Sequence, residues 1–253
     1  MNPILKNYID SNDYKQIADN CIKWISDWFA VNGPECKAVI GISGGKDSSI
    51  VAALCCKALG PERVFGVLMP RGVQPDIDYS KKLVEYLGIK SVEINVGPCA
   101  DALEQSIKEK GIDLTSQATV NLQPRIRMST LYAVSQCVNG RVSNNSNRSE
   151  RFVGYSTIYG DSAGDFSPLM NLTVTEVKEV GRAIGLPDEF IEKPPSDGLS
   201  GKTDEDNIGI TYEDIDTYIL TGKCTDKEVE EKIVKKHNAN LFKTKPMPAF
   251  IPE

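Results

Sequence analysis

Ser43-Gly44-Gly45-Lys46-Asp47-Ser48 gathers two glycines, two hydroxyls and a carboxylate into six residues. Between a strand end and a helix start, glycines let the backbone pass close to an anion, and the first free N–H groups of the helix point at it. Gly41, Ile42, Ser43, Gly44, Gly45, Lys46, Asp47 and Ser48 are therefore the expected polyphosphate-binding run. A carboxylate beside an anion is tolerated when a cation lies between them, so Asp47 points to Mg²⁺ on a polyphosphate. The competing reading of these residues alone is a glycine-rich turn that caps a helix.

Spacing excludes two other phosphate loops. A Walker A loop has four residues between its glycines and Ser or Thr after Gly-Lys, whereas Gly41 and Gly45 enclose three residues and Asp47 follows Lys46. No G-x-G-x-x-G dinucleotide fingerprint is present. Further along, Asn121-Leu122-Gln123-Pro124-Arg125-Ile126-Arg127-Met128 brings two arginines onto one helix. Ion pairs with surface carboxylates and binding of a phosphate or carboxylate are equal readings of that pair. Asn145-Ser146-Asn147-Arg148-Ser149-Glu150 follows a short apolar run, which puts Glu150 across a cleft from Asp47 as a second metal carboxylate. The stretch from Gly154 to Asp165 then packs glycines with Asp161 and Asp165 into a dozen residues, more small and acidic groups than a plain connector needs.

The elements that must position these residues alternate. Ala38–Ile42, Val64–Met69, Ser91–Asn95 and Arg141–Asn144 read as strands. Helices are expected over about 14–30, 48–59, 76–87, 100–110 and 122–138, with Asn139-Gly140 closing the last. The alternation predicts an α/β fold: a doubly wound, mostly parallel sheet flanked by helices, with ligands at the strand C-termini. Residues 196–209, rich in Gly, Ser, Asp, Lys and Thr, form an expected lid. Helices near Tyr212–Thr221 and Lys227–Asn240 and a proline-rich tail complete one domain over residues 1–253.

Composition narrows the class. A net charge of −6 over 253 residues argues against a broad nucleic-acid surface, which needs clustered Lys and Arg. No apolar run approaches the roughly 20 residues that span a bilayer, and the N-terminus lacks a signal-peptide pattern, so the expected location is cytoplasmic. The 7 cysteines contain no C-x-x-C pair, which supports neither a disulfide framework nor a zinc site. His237, the 1 histidine, lies in a run of Glu and Lys that reads as a solvated helix face rather than a catalytic base.

The loop resembles the pyrophosphatase (PP) loop, Ser-Gly-Gly-x-Asp-Ser, of Rossmann-like enzymes that adenylate a substrate and release pyrophosphate. Over nearly the whole chain the motifs resemble those of the ammonia-dependent NAD⁺ synthetases. They include Arg125/Arg127, Glu150, Tyr159-Gly160-Asp161, Asp165-Phe166-Ser167-Pro168-Leu169, Pro195-Ser196-Asp197-Gly198-Leu199, Thr203-Asp204-Glu205 and Lys243 before Pro246-Met247-Pro248. That resemblance implies a ligase that amidates deamido-NAD⁺ with ammonia, through an adenylated carboxylate. It implies ATP contacts along Gly41, Ile42, Ser43, Gly44, Gly45, Lys46, Asp47 and Ser48 and at Asn145 and Ser196, deamido-NAD⁺ contacts at Arg125, Asp165 and Lys243, and Mg²⁺ on Asp47 and Glu150. Asp47 and Asp161 are the expected catalytic groups, Asp161 by taking a proton from ammonium; a loop aspartate bonding nearby N–H groups is its other reading.

The resemblance further implies a homodimer with active sites at the subunit interface. A first strand near residue 38 leaves no room for the amidase domain of glutamine-dependent members, so free ammonia is the expected donor. This chain departs from many members where it has Asn145-Ser146-Asn147, Ile158 and Val174 in place of Thr-Asp-His and two lysines. Lys178 and Lys202 are candidate replacements. Two rival functions share the loop: another adenylating enzyme, tRNA-modifying or GMP-forming, and a non-catalytic nucleotide sensor.

Overall fold

The computed structural model describes residues 1–72, 77–192, 203–224 and 226–252. The chain runs through α1 (Pro3–Asp10), α2 (Tyr14–Asn32), β1 (Lys37–Gly41), α3 (Lys46–Leu59), β2 (Val64–Leu68), α4 (Ile77–Leu87) and β3 (Lys90–Glu93). It continues through α5 (Gly97–Lys108), α6 (Ser116–Cys137), β4 (Gly140–Val142), α7 (Arg148–Val153), α8 (Val174–Ala183) and α9 (Asp188–Ile191). Helices α10 (Asp204–Ile208), α11 (Tyr212–Thr221) and α12 (Lys227–Asn240) close it.

The four strands are parallel, in the order β3-β2-β1-β4, with Val39 opposite Phe65 on one side and Val142 on the other. Ala38, Val39 and Ile40 are all 0% exposed, because helices cover both faces of the sheet. On one face, Ile40 packs in a cluster with Ile25 and Phe29 of α2, Ile50 and Leu54 of α3, Leu83 of α4 and Val177 of α8. On the other, Val39, Val67 and Val142 meet Leu131 of α6. The expected doubly wound fold is the observed one. Strand order reverses at β1, so the segments that leave β1 and β4 open a crevice at their C-terminal ends.

A smaller cluster stands apart, built from Val153, Val174, Ile208, Ile210, Tyr212, Ile215 and Ile233. It packs the last helices around α7. Here polar side chains set the helix ends: Asn147, Thr173 and Thr203 each form a reciprocal capping box with the acid three residues on.

Several boundaries differ from expectation. Helix α6 starts at Ser116 behind the cap Thr115 and carries Pro124 in its interior, where the sequence pattern placed a helix start. Strand β3 ends at Glu93, although Ile94 and Val96 N–H groups still bond to Leu68 and Pro70 carbonyls at 2.8 and 2.9 Å. Strand β4 ends at Val142, and beyond it Ser143 only bridges to Phe166. Helices α1, α7, α8 and α9 were not expected; all are short and held mainly by tertiary contacts. Of the expected lid, residues 196–202 lie outside the described residues, and Thr203–Gly209 is the capped helix α10, anchored by buried Ile208.

Candidate active site

The loop after β1 turns into α3 over Gly44, whose φ of +77° lies in the left-handed region that favours glycine. A Cβ there would come within 3.0 Å of the Ser80 Oγ, so α4 closes on the loop as tightly as a glycine permits. Gly45 caps α3 without any side-chain bond, which leaves the N–H groups of the first turn, at Lys46, Asp47 and Ser48, for an anion. The Ser43 and Ser48 hydroxyls lie 3.1 Å apart beside them. Free N–H groups and two hydroxyls therefore converge at the start of α3.

Asp47 stands in the first turn of α3, and its Oδ2 lies 2.8 Å from the Lys46 Nζ. Its Oδ1 accepts a bond from Asn147 Nδ2 at 3.3 Å. Asn147 also caps α7: its Oδ1 accepts from the Glu150 N–H at 3.0 Å, and Glu150 Oε2 accepts from the Asn147 N–H at 3.3 Å. One asparagine thus links both metal-site carboxylates predicted from the sequence. Burial, with the Asp47 charge next, pushes the Glu150 carboxyl up to about 8, against the pull of Lys46. For the Lys46 ammonium, burial opposes the charge, but Asp47, Glu150 and Asp204 outweigh it and raise its pKa.

Mg²⁺ is commonly held by one or two carboxylates together with phosphate oxygens and water. Two neighbouring carboxyls, each raising the cost of ionising the other, fit an ion that arrives with a nucleotide. Among the described residues no cluster of three or more Asp, Glu, His or Cys side chains forms a resident cage.

The remaining predicted residues make separate contacts. Asn145 Nδ2 donates to the Gly41 carbonyl at 3.2 Å, tying the end of β4 to the start of the loop. Asp165 binds its own fold: Oδ2 accepts from the Val142 N–H at 2.7 Å and Oδ1 from the Tyr132 hydroxyl at 3.2 Å. Arg125 is exposed and donates through Nε to the Ile158 carbonyl at 3.3 Å. Arg127 instead donates to the Met69 carbonyl at 3.1 Å, a structural contact within the fold. Ser196 lies outside the described residues.

Asp161 and Lys243 lie near enough for their charges to act on each other. The Asp161 residue is exposed, but its carboxyl turns into the loop, where Oδ1 accepts from the Thr157 N–H at 2.6 Å. Burial of that carboxyl raises its pKa, against the loop N–H groups and Lys243. Lys243 donates to the Gly154 and Ser156 carbonyls at 2.8 and 3.0 Å. The next residues carry strain: Tyr159, exposed, has φ +58°.

Two features were not read from the sequence, and one reading is corrected. Asn147 is completely buried and joins the two carboxylates, and the Asn-x-x-Glu capping pattern was the signal available for it. Asp216, also 0% exposed, accepts from the Ser149 hydroxyl, and from the Thr175 N–H and hydroxyl at 2.7 and 2.6 Å, which docks α7 on α8 and α11. His237 is not on a solvated face: its ring stacks on Phe152 at 4.1 Å, and Nδ1 lies 2.9 Å from the Phe152 carbonyl. Of the candidate replacement lysines, Lys178 is paired with Glu192 at 2.8 Å and Lys202 lies outside the described residues. Both Lys178 and Lys46 border a pocket of about 490 Å³.

Comparison with known proteins bears directly on this geometry. The NAD synthase family model matches residues 17–247. The chain is 36% identical over 239 residues to the NH(3)-dependent NAD(+) synthetase of Finegoldia magna, covering 91% of this chain and 97% of that one. An NMN synthetase structure from Francisella tularensis superposes with a TM-score of 0.85 at 33% identity, over 96% of this chain and 99% of that one. The NH3-dependent NAD synthetase from Campylobacter jejuni, solved with nitrate ion, gives 0.77 at 30% identity, over 95% and 100%. The chain therefore belongs to the NAD synthase family, ATP-using ligases that form a C–N bond.

Proposed function

We propose that the protein amidates deamido-NAD⁺ with ammonia at the expense of ATP. The observation that carries this reading is the anion cradle of Ser43–Ser48 facing a carboxylate pair, Asp47 and Glu150, from two different walls of one crevice. The nicotinate carboxylate attacks the α-phosphorus of ATP, pyrophosphate departs, and a mixed anhydride with AMP remains. Ammonia then attacks the anhydride carbonyl and AMP leaves. In the first step the N–H groups of Lys46, Asp47 and Ser48 and the Ser43 and Ser48 hydroxyls hold the departing pyrophosphate. Asp47 and Glu150 would hold Mg²⁺, which neutralises charge developing on the phosphates. Positioning and charge neutralisation supply most of the rate.

The motif resemblance assigns Arg125, Asp165 and Lys243 to deamido-NAD⁺, and Asn145 and Ser196 to ATP. For ammonia, Asp161 binds ammonium and takes its proton; its raised pKa supports that role. A homodimer fits the exposed apolar tail, where Phe242, Met247, Phe250 and Ile251 lie open. The likeness to an NMN synthetase favours one second reading, a mononucleotide acceptor with the same reacting carboxylate.

The test is mass detection of products from ATP, ammonium and Mg²⁺ with either deamido-NAD⁺ or nicotinate mononucleotide. The proposal expects NAD⁺, AMP and pyrophosphate, with deamido-NAD⁺ preferred. Preference for the mononucleotide would establish the second reading, and absence of AMP with both would contradict each.

A further inference from the structure

Among the described residues, Lys46 is the only Lys or Arg that the fold buries, at 4% exposed. Burying an ammonium is unfavourable unless carboxylates or other ligands compensate it. Its surroundings are one-sided. The Nζ lies 2.8 Å from Asp47 Oδ2 and 5.6 Å from the centre of the Tyr212 ring, and it feels the charges of Glu150 and Asp204. The Asp47 carboxylate pairs with the ammonium directly, and the Glu150 and Asp204 carboxyls act on it electrostatically. Toward the other side, Lys46 borders the pocket of about 490 Å³ whose wall includes Val174, Thr175, Thr203 and Tyr212. The side chain leaves the backbone at the first residue of α3, inside the anion cradle itself. A four-carbon arm rooted there reaches either the carboxylates or an anion seated on the same amides by rotation alone.

We propose that Lys46 is a transferable counter-ion. Without nucleotide its ammonium holds the Asp47 and Glu150 carboxylates together. When Mg²⁺ on a polyphosphate takes those carboxylates, the ammonium passes to the polyphosphate oxygens. This rests on reading the crevice as a site that releases pyrophosphate, and it adds the device that keeps the crevice assembled between turnovers.

Titration calorimetry on the full chain tests it, with Mg²⁺ alone and with inorganic pyrophosphate at saturating Mg²⁺, in wild type, Lys46→Met and Lys46→Arg. Loss of a charged contact to phosphate should weaken pyrophosphate binding by Lys46→Met about tenfold to a hundredfold. Mg²⁺ alone should bind that variant more tightly than wild type, because no ammonium competes for the carboxylates. Lys46→Arg should stay within a few fold of wild type in both titrations. Should Lys46→Met unfold without metal, its melting temperature is followed against Mg²⁺. A larger rise than in wild type supports the proposal, and an equal or smaller one overturns it. Unchanged pyrophosphate affinity in Lys46→Met, or weakened Mg²⁺ affinity, also overturns it. Failure of wild type itself to bind pyrophosphate would instead contradict the reading of the site on which the proposal rests.

Discussion

The two walls of the crevice are built on different principles. Asp47 stands on the sheet wall, at the start of a helix whose strand, Ala38–Ile40, is sealed between apolar layers. Glu150 stands on the helical wall, on the six-residue helix α7, which buries only Ser149 and Val153. Polar clamps hold that helix: the Asn147 capping box, the Ser149–Asp216 bond, and the His237 ring on Phe152. Apolar burial of its strand positions Asp47, whereas hydrogen bonding positions the helix that carries Glu150. Substitutions in the two walls should therefore fail in different ways.

The largest expected effect is at the carboxylates. Asp47→Asn and Glu150→Gln should each slow adenylation by roughly 10²-fold or more while leaving the fold intact, since each loses charge stabilisation. Pyrophosphate release and circular dichroism together check this. Next come the supports. Ile40→Ala should cost about 2–5 kcal/mol of stability in the sheet wall, with near-normal kcat for the folded fraction. Asp216→Ala, which strands three donors, should cost about 3 kcal/mol and also slow adenylation, because α7 loosens. Equal kcat in the two variants would erase the distinction between the walls. A gentler version compares caps: Asn147→Ala and Asp13→Ala should each cost about 1 kcal/mol, yet only the first should weaken Mg²⁺ binding.

A pH series sharpens the helical wall further. The Glu150 pKa in the folded protein, about 8, lies above its ordinary value of 4.5, so the folded state holds this proton more tightly than the unfolded chain. Its contribution to stability therefore declines as pH rises from about 4.5 to about 8. Mg²⁺ binding displaces the same proton, so affinity should climb over that range and level off above it. Glu150→Gln should flatten both profiles. The smallest expected effect is confined to one step: Asp161→Asn should still release pyrophosphate in a single turnover, then form NAD⁺ slowly, with relief as pH rises and free ammonia increases. Loss of the pyrophosphate burst would move Asp161 to substrate binding or adenylation.

The difference between the walls also decides what the sequence made legible. The sheet wall announces itself: an uninterrupted apolar run, a glycine pair and a helix former in succession give strand, loop and helix, and hence Asp47. Helices α11 and α12 were equally readable, with their ends as expected. The helical wall depends on contacts between distant segments. Asn147 meets Asp47 across 100 residues and Ser149 meets Asp216 across 67, distances at which no local pattern operates. Glu150 stands out because polar residues after a strand lie where ligands lie, but the contacts that support it leave no local signal. For α6, the expected start lay near residue 122, whereas the helix begins at Ser116 and runs through Pro124, with Gly160 packed close against the proline.

The central claim is that the two walls supply one metal and act as a unit. A double-mutant cycle on Asp47→Asn and Glu150→Gln, read as the single-turnover rate of pyrophosphate release at saturating Mg²⁺, tests it most directly. If both carboxylates serve the same ion, the double variant should be about as slow as the slower single variant. Losses that multiply, each variant contributing its full effect independently, would contradict a shared site.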